Sequence, residues 1–157
     1  SLARVLPLVK EFGTAVIGLC MDDAGIPATV EGRVAVARKI VERAGAMGIP
    51  PEDILIDCLA MSVCTDASAG KVTLSAIRTV RETLGVNMTL GASNVSFGLP
   101  EREAINEVFL SMAMLNGVNA PIVNPSPARR GILISDLILG RDEYAMRYVG
   151  YIRAQRQ

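Results

Sequence analysis

Thr14-Ala-Val-Ile-Gly-Leu-Cys-Met21 is a run with almost no polar residue in it. It is shorter than an ordinary helix, and it lacks the alternation of a half-exposed strand. Both features suit a strand covered on its two faces, as parallel sheets require. A polar loop with Gly25 and Pro27 follows, and Val30 to Met47 then reads as a helix, closed by Gly48 and the Pro50-Pro51 pair. A buried strand followed by a helix is thus the unit. Upstream, Leu2, Val5, Leu6, Leu8 and Val9 predict a helix that stops at Gly13. Downstream the unit repeats. Ile54 to Ala60 (ILIDCLA) is a strand, Met61 to Gly70 a loop of small polar residues, and Lys71 to Leu84 a helix ended by Gly85. Met88 to Asn94, a Gly-Pro loop and a helix from Glu101 to Asn116 make the third unit. Ala120 to Val123 is a short fourth strand, with helices near Arg129–Leu139 and Asp142–Arg153 after it.

Four such units, with no hairpin signal between them, imply an α/β fold with a parallel sheet. An open doubly wound sheet and part of a barrel compete. No GxGxxG follows any strand, so a dinucleotide-binding fold has little support. Polar residues instead stand where the predicted strands end: Asp22 after Met21, then Asp57, Ser93-Asn94 and Asn124. In a (β/α)₈ TIM barrel those ends ring one active site, but a whole barrel needs about 250 residues. The expectation is half of a barrel, forming one domain over residues 1–157.

Composition narrows the chemistry. Half of the 157 residues are hydrophobic, which is enough to build a core. Sixteen basic and sixteen acidic residues cancel, so the chain offers no footprint for nucleic acid and no polybasic membrane patch. With zero histidines, Ser-His-Asp and Cys-His catalysis and every imidazole zinc site are excluded within the chain, and no bound metal is expected. Cys20, Cys58 and Cys64 form no CxxC pair, and an odd count argues against a complete disulfide framework. They read as reduced thiols of a cytoplasmic protein, Cys20 serving in core packing. No apolar run approaches a bilayer span.

Gly91-Ala-Ser-Asn-Val-Ser-Phe-Gly-Leu-Pro100, followed by Arg102, Asn106 and Phe109-Leu110, strongly resembles the pterin-binding domain of methyltetrahydrofolate methyltransferases. That family includes the methyltetrahydrofolate:corrinoid protein methyltransferases and the folate domain of cobalamin-dependent methionine synthase. Ile17-Gly-Leu-Cys-Met21, Ile54-Leu-Ile-Asp57 and Ile122-Val-Asn-Pro125 are similar to its fifth, sixth and eighth strands. The resemblance implies the C-terminal half of a pterin-binding barrel, strands five to eight. It further implies 5-methyltetrahydrofolate and tetrahydrofolate as substrate and product, and a corrinoid (cobalamin) carried by a partner protein or domain. The family's first four strands have no counterpart here. One departure is Cys58, where the family commonly has Pro after the strand-six aspartate. Dihydropteroate synthases share the barrel and the pterin pocket, but their seventh strand carries Ser-Arg-Lys where this chain reads Ser93-Asn94-Val95.

Each candidate residue has a functional and a plain reading. Asp57 interrupts an apolar strand, and a buried carboxylate is costly unless something donates to it. A reduced pterin presents an N–H and an amino group side by side, which a carboxylate accepts bidentately. The alternative is an Asp that caps the next loop. Asn94 both donates and accepts, so it can follow a nitrogen whose protonation changes, and the resemblance places it near N5 of the folate as the catalytic group. The alternative is an Asn suited to a left-handed turn. Gly91, Ser93 and Ser96 let a flat ring approach the backbone, or serve tight strand–helix packing. Arg102 opposes the helix dipole in the first turn of its helix, so it needs a reason to be there: holding the ligand or the Asn94 loop. Asn124 reaches the pocket or caps a loop, while Asp22 and Asp23 read as loop residues. Met61, Met112, Met114 and Met146 read as core or interface packing. Lys71, Arg78, Arg81 and Glu82 read as a solvated helix face. A half-barrel also leaves sheet edges and an apolar face open, so a missing half or a paired second copy (a homodimer) is expected to cover them. Alone, the chain is expected to be catalytically incompetent.

Overall fold

A computed structural model describes residues 2–156, leaving Ser1 and Gln157 outside the description. Helix α1 (Leu2–Phe12) precedes strand β1 (Val16–Leu19), and α2 (Val30–Ala46) follows it. Next come β2 (Ile54–Asp57), α3 (Ala69–Leu84), β3 (Asn87–Gly91), α4 (Arg102–Leu115), β4 (Ala120–Ile122), α5 (Pro125–Ile138) and α6 (Met146–Ala154). The strands form one parallel sheet in the order β1-β2-β3-β4. The order never reverses, so there is no switch point of the kind a doubly wound sheet has.

Register assigns the two faces. Gly18, Ile56 and Met88 align on one of them, as do Ile54 and Leu90. Ile54, Ile56, Met88 and Leu90 are buried there, together with Ile40 of α2 and Ile77 and Val80 of α3. Burying each such side chain contributes about 1.5–3 kcal/mol, so this helix-covered face carries the stability of the sheet. Gly18 is glycine because α2 packs so closely: a Cβ there would lie 2.8 Å from Ile40. The opposite face carries Ile17 and Leu19 on β1, Asp57 on β2, Thr89 and Gly91 on β3, and Ile122 on β4. At its margins this face is open, with Ile17 50 % and Ile122 57 % exposed. At its centre, Asp57 lies between Leu19 and Thr89 and is buried.

Local chemistry sets the boundaries. Thr29 caps α2 by accepting from the Gly32 amide at 3.1 Å, and Gly85 ends α3 in the left-handed conformation. The strands are shorter than their apolar runs, because the turns begin before the hydrophobicity ends. Two placements differ from the sequence reading. Asn94 does not end a strand: β3 stops at Gly91, and Asn94 lies inside the 3₁₀ turn Ala92–Ser96. Asn124 is likewise past β4, where its side chain caps α5 by accepting from Ser126 N at 3.3 Å. That helix begins at Pro125 rather than near Arg129, since proline is well suited to the first helical position. The final helical stretch is split, because Tyr144 and Ala145 take left-handed angles before α6 starts.

Candidate functional site

Asp57 is the last residue of β2, and its side chain is directed away from the helices by the alternation of the strand. It is 6 % exposed, and no cation lies within ion-pair distance among the described residues. Its Oδ1 accepts from the Leu59 amide at 2.7 Å, so the loop-capping role is realised. Burial pushes its pKa above the usual carboxylate range, and the Leu59 and Gly91 amides pull it partly back. Two backbone donors do not use up a carboxylate, which has room for about four.

Gly91 ends β3 on the same face, beside Ile122 and one pleat beyond Thr89. A Cβ built there meets nothing within 4 Å, so tight packing does not explain the glycine. The chain turns at once into the Ala92–Ser96 segment, which presents Ser93 and Asn94 to solvent and buries Ala92, Val95 and Ser96. The Asn94 carbonyl accepts from Phe97 N at 3.2 Å, whereas its carboxamide has no hydrogen-bond partner among the described residues.

Arg102 and Ser96 brace this turn. Arg102 Nη2 donates to Ser93 O at 2.9 Å, and its Nε donates to Ser96 Oγ at 3.0 Å. Ser96 Oγ in turn donates to Ser93 O at 3.2 Å. The guanidinium also lies 6.0 Å from the centre of the Phe97 ring. Of the two roles open to Arg102, it fulfils that of holding the Asn94 loop. Ser96 is fully buried, and its hydroxyl is spent inside the turn. From the other side, Ser62 donates to Phe97 O at 2.6 Å and Val63 N donates to Val95 O at 3.0 Å, tying the loop after β2 to the loop after β3. The sequence reading passed over Ser62; a serine in a loop of small polar residues carries no distinguishing signal.

Asn124 and Ser93 meet at a cavity of about 630 Å³ between α4 and α5, which Asn106 and Ile122 also line. Asp57 and Gly91 line neither this cavity nor a larger one of about 900 Å³ between α3 and α4. The larger cavity lies among Leu74, Arg78, Val108 and Met112 and contains no predicted site residue. The structure therefore brings Asp57 and Gly91 together on the sheet, Ser93 and Asn94 together on the turn, and Asn124 at the rim. Asp22 behaves as a loop residue, accepting from Ala24 N at 2.9 Å.

Cys58 points the other way from Asp57. Its sulfur lies 4.0 Å from that of Cys20 under the helices, and this contact together with burial pushes the Cys58 thiol far up. All three cysteines are free. Among the methionines, Met114 is buried, while Met61, Met112 and Met146 are exposed. Arg78 and Glu82 pair on the surface at 2.9 Å. No helix among the described residues is long and apolar enough to cross a membrane.

Comparison with known proteins matches residues 2–124 to a family described as pterin binding enzyme. A methylcorrinoid:tetrahydrofolate methyltransferase of Eubacterium limosum is 31 % identical over 135 residues, covering 84 % of this chain and 50 % of that protein. A methionine synthase of Mycobacterium leprae (strain TN) is 36 % identical over 131 residues, covering 78 % of this chain and 11 % of that protein. A methionine synthase of Mycobacterium tuberculosis (strain ATCC 25618 / H37Rv) is 34 % identical over 132 residues, covering 79 % and 11 %. The chain thus spans half the length of the first of these relatives and about a tenth of the other two.

Proposed function

The chain belongs to the pterin-binding enzyme family, and on that premise we propose that it forms the C-terminal half, strands five to eight, of a folate-binding (β/α)₈ barrel. The barrel exchanges the N5-methyl group between 5-methyltetrahydrofolate and the Co(I) corrinoid of a partner protein or domain. The observation that carries this reading is Asp57: a buried carboxylate without a counter-cation among the described residues, on the sheet face that the helices leave uncovered. Such a group favours a ligand with paired N–H donors, because those bonds repay the desolvation of its charge. The pterin ring offers that pair. The empty side-chain position at Gly91 leaves room for a flat ring against β3.

Asn94 is the proposed catalytic residue. Its free carboxamide, held on a braced turn, is available to N5. A hydrogen bond that strengthens as N5 gains electron density lowers the barrier to losing the methyl group. No histidine is needed for this. The corrinoid, when carried to the site by its own protein, supplies the nucleophile. The Eubacterium limosum relative is named for a methylcorrinoid and tetrahydrofolate, and microscopic reversibility lets one set of groups at N5 serve transfer in either direction. A dihydropteroate synthase reading finds no support, since Asn94-Val95 stand where that chemistry has its basic pair.

The test is methyl transfer between 5-methyltetrahydrofolate and Co(I) cobalamin by the full-length protein, with and without Asn94→Ala. Removing one preorganised donor should lower the rate roughly a hundredfold while folate affinity changes little. Absence of transfer in the wild type across several corrinoid acceptors would sink the reading.

A further inference from the structure

Arg33 stands on the buried stripe of α2 with Ala37, Ile40 and Ala44 and is 2 % exposed. A cation in such a place normally has a carboxylate partner, but none lies within ion-pair distance among the described residues. Its guanidinium donates only to neutral acceptors. Nε reaches Pro27 O at 3.0 Å, and Nη1 reaches Cys58 O, Leu59 O and Thr73 Oγ1, each at 2.9 Å. Burial lowers its pKa, so the charge is held at a cost.

Two of those four acceptors belong to the turn that leaves Asp57. The Cys58 carbonyl and the Leu59 N–H are the two ends of one trans peptide, and they point in opposite directions. Arg33 takes the carbonyl on the helix side. The N–H is thereby aimed at the other face, where it donates to Asp57 Oδ1 at 2.7 Å. The turn also needs Leu59 in the left-handed region, at φ 60°, which side-chain-bearing residues seldom adopt. The same Nη1 holds the Leu59 carbonyl and keeps it there. We propose that Arg33 is a positioning residue of the folate site: through the Cys58–Leu59 peptide it orients the Asp57 carboxylate and strengthens the amide that donates to it. A cation on a peptide carbonyl polarises the unit and makes its N–H a better donor. The proposal deepens the functional reading and rests on Asp57 as the pterin's acceptor.

Few charged or titratable groups surround that carboxylate. Cys58 follows it in sequence, Cys20 meets Cys58 from just past the end of β1, and Arg33 approaches from α2. On β3, Thr89 and Gly91 do not titrate. The experiment follows the Asp57 carboxyl carbon by NMR during a pH titration of the full-length, ligand-free protein. It compares wild type with Arg33→Met, which keeps volume, and Arg33→Lys, which keeps charge. The Asp57 titration should move upward in Arg33→Met and by less in Arg33→Lys. Binding of 5-methyltetrahydrofolate should weaken roughly tenfold in Arg33→Met and recover in part in Arg33→Lys. An unmoved Asp57 titration in a folded Arg33→Met protein overturns the proposal. Should that variant not fold, Arg33→Lys decides, and a wild-type titration with wild-type affinity overturns it equally. If the wild type binds no folate, the functional reading falls by itself, and the ligand-free titration still decides the role of Arg33.

Discussion

At Asp57 and Gly91 the demands of the proposed ligand part from those of the fold. The Asp57 carboxyl has a folded-state pKa raised above its unfolded value, first by burial, with the Leu59 and Gly91 amides opposing. The folded protein therefore binds that proton more tightly than the unfolded chain does. Stability then falls as pH rises from the unfolded pKa through the folded one, and the deficit persists at neutral pH. Asp57→Asn keeps an acceptor for Leu59 and removes the charge. The ligand-free variant should melt at or above wild type near pH 7, and the gap should close near pH 3, where wild-type Asp57 is neutral. Folate affinity should be lost. Melts at the two pH values check the sign; a variant clearly less stable at neutral pH would mean that the charge is paid back within the fold. Gly91→Ala separates the two demands more cleanly still. Its backbone, at φ −77° and ψ 88°, suits any residue, and the new methyl group meets nothing within 4 Å. The variant should keep wild-type stability within about 0.5 kcal/mol. Its folate affinity should nevertheless fall tenfold or more, because the methyl group occupies the space proposed for the ring. Unchanged affinity in a titration would move the ring away from β3.

At the scale of elements, the pattern of buried strands and capped helices was largely legible, because hydrophobic periodicity reports burial directly. The helix over residues 30–46 shows this: Thr29 caps one end, and Arg33, Ala37, Ile40 and Ala44 mark the buried face. The same stripe held an unread signal. An arginine in step with Ala37, Ile40 and Ala44 has to find acceptors indoors, and here it finds the turn after β2. Turns were read less well than strands. Gly91-Ala-Ser-Asn94 reads as the end of a strand because it continues directly from an apolar run, and nothing local announces a 3₁₀ turn. For Asn124 the signal was present. Asn followed by Pro is a helix-entry pair, and of the two roles open to Asn124 it fills the cap while also lining the smaller cavity. Arg102 was open between ligand and loop until its hydrogen bonds to Ser93 and Ser96 placed it with the loop.

The whole molecule joins a well-packed face to an open one. Under the helices, Ile56, Ile77, Met88 and Leu90 are sealed; on the other face, Ile17, Leu19 and Ile122 are half-exposed at the margins. β1 and β4 each pair on one side only among the described residues, so both edges offer free backbone donors and acceptors. In a closed barrel the same residues would be interior and the same edges paired, which is how one sequence pattern serves both faces. That the chain spans half of the Eubacterium limosum relative fits this proposal. Residues 1–157 expressed alone should therefore self-associate, and sedimentation velocity should show a mass that rises with concentration. Ile17→Lys combined with Ile122→Lys places a charge at each margin and should shift the chain toward monomer. In the same preparation, 5-methyltetrahydrofolate should bind at least a hundredfold more weakly than it does to the full-length protein. Half of the ring's contacts would be missing, and losing about 3 kcal/mol of them is already that factor. A monodisperse monomer with full folate affinity would mean that these four strands are a complete site, and the barrel proposal would have to be given up.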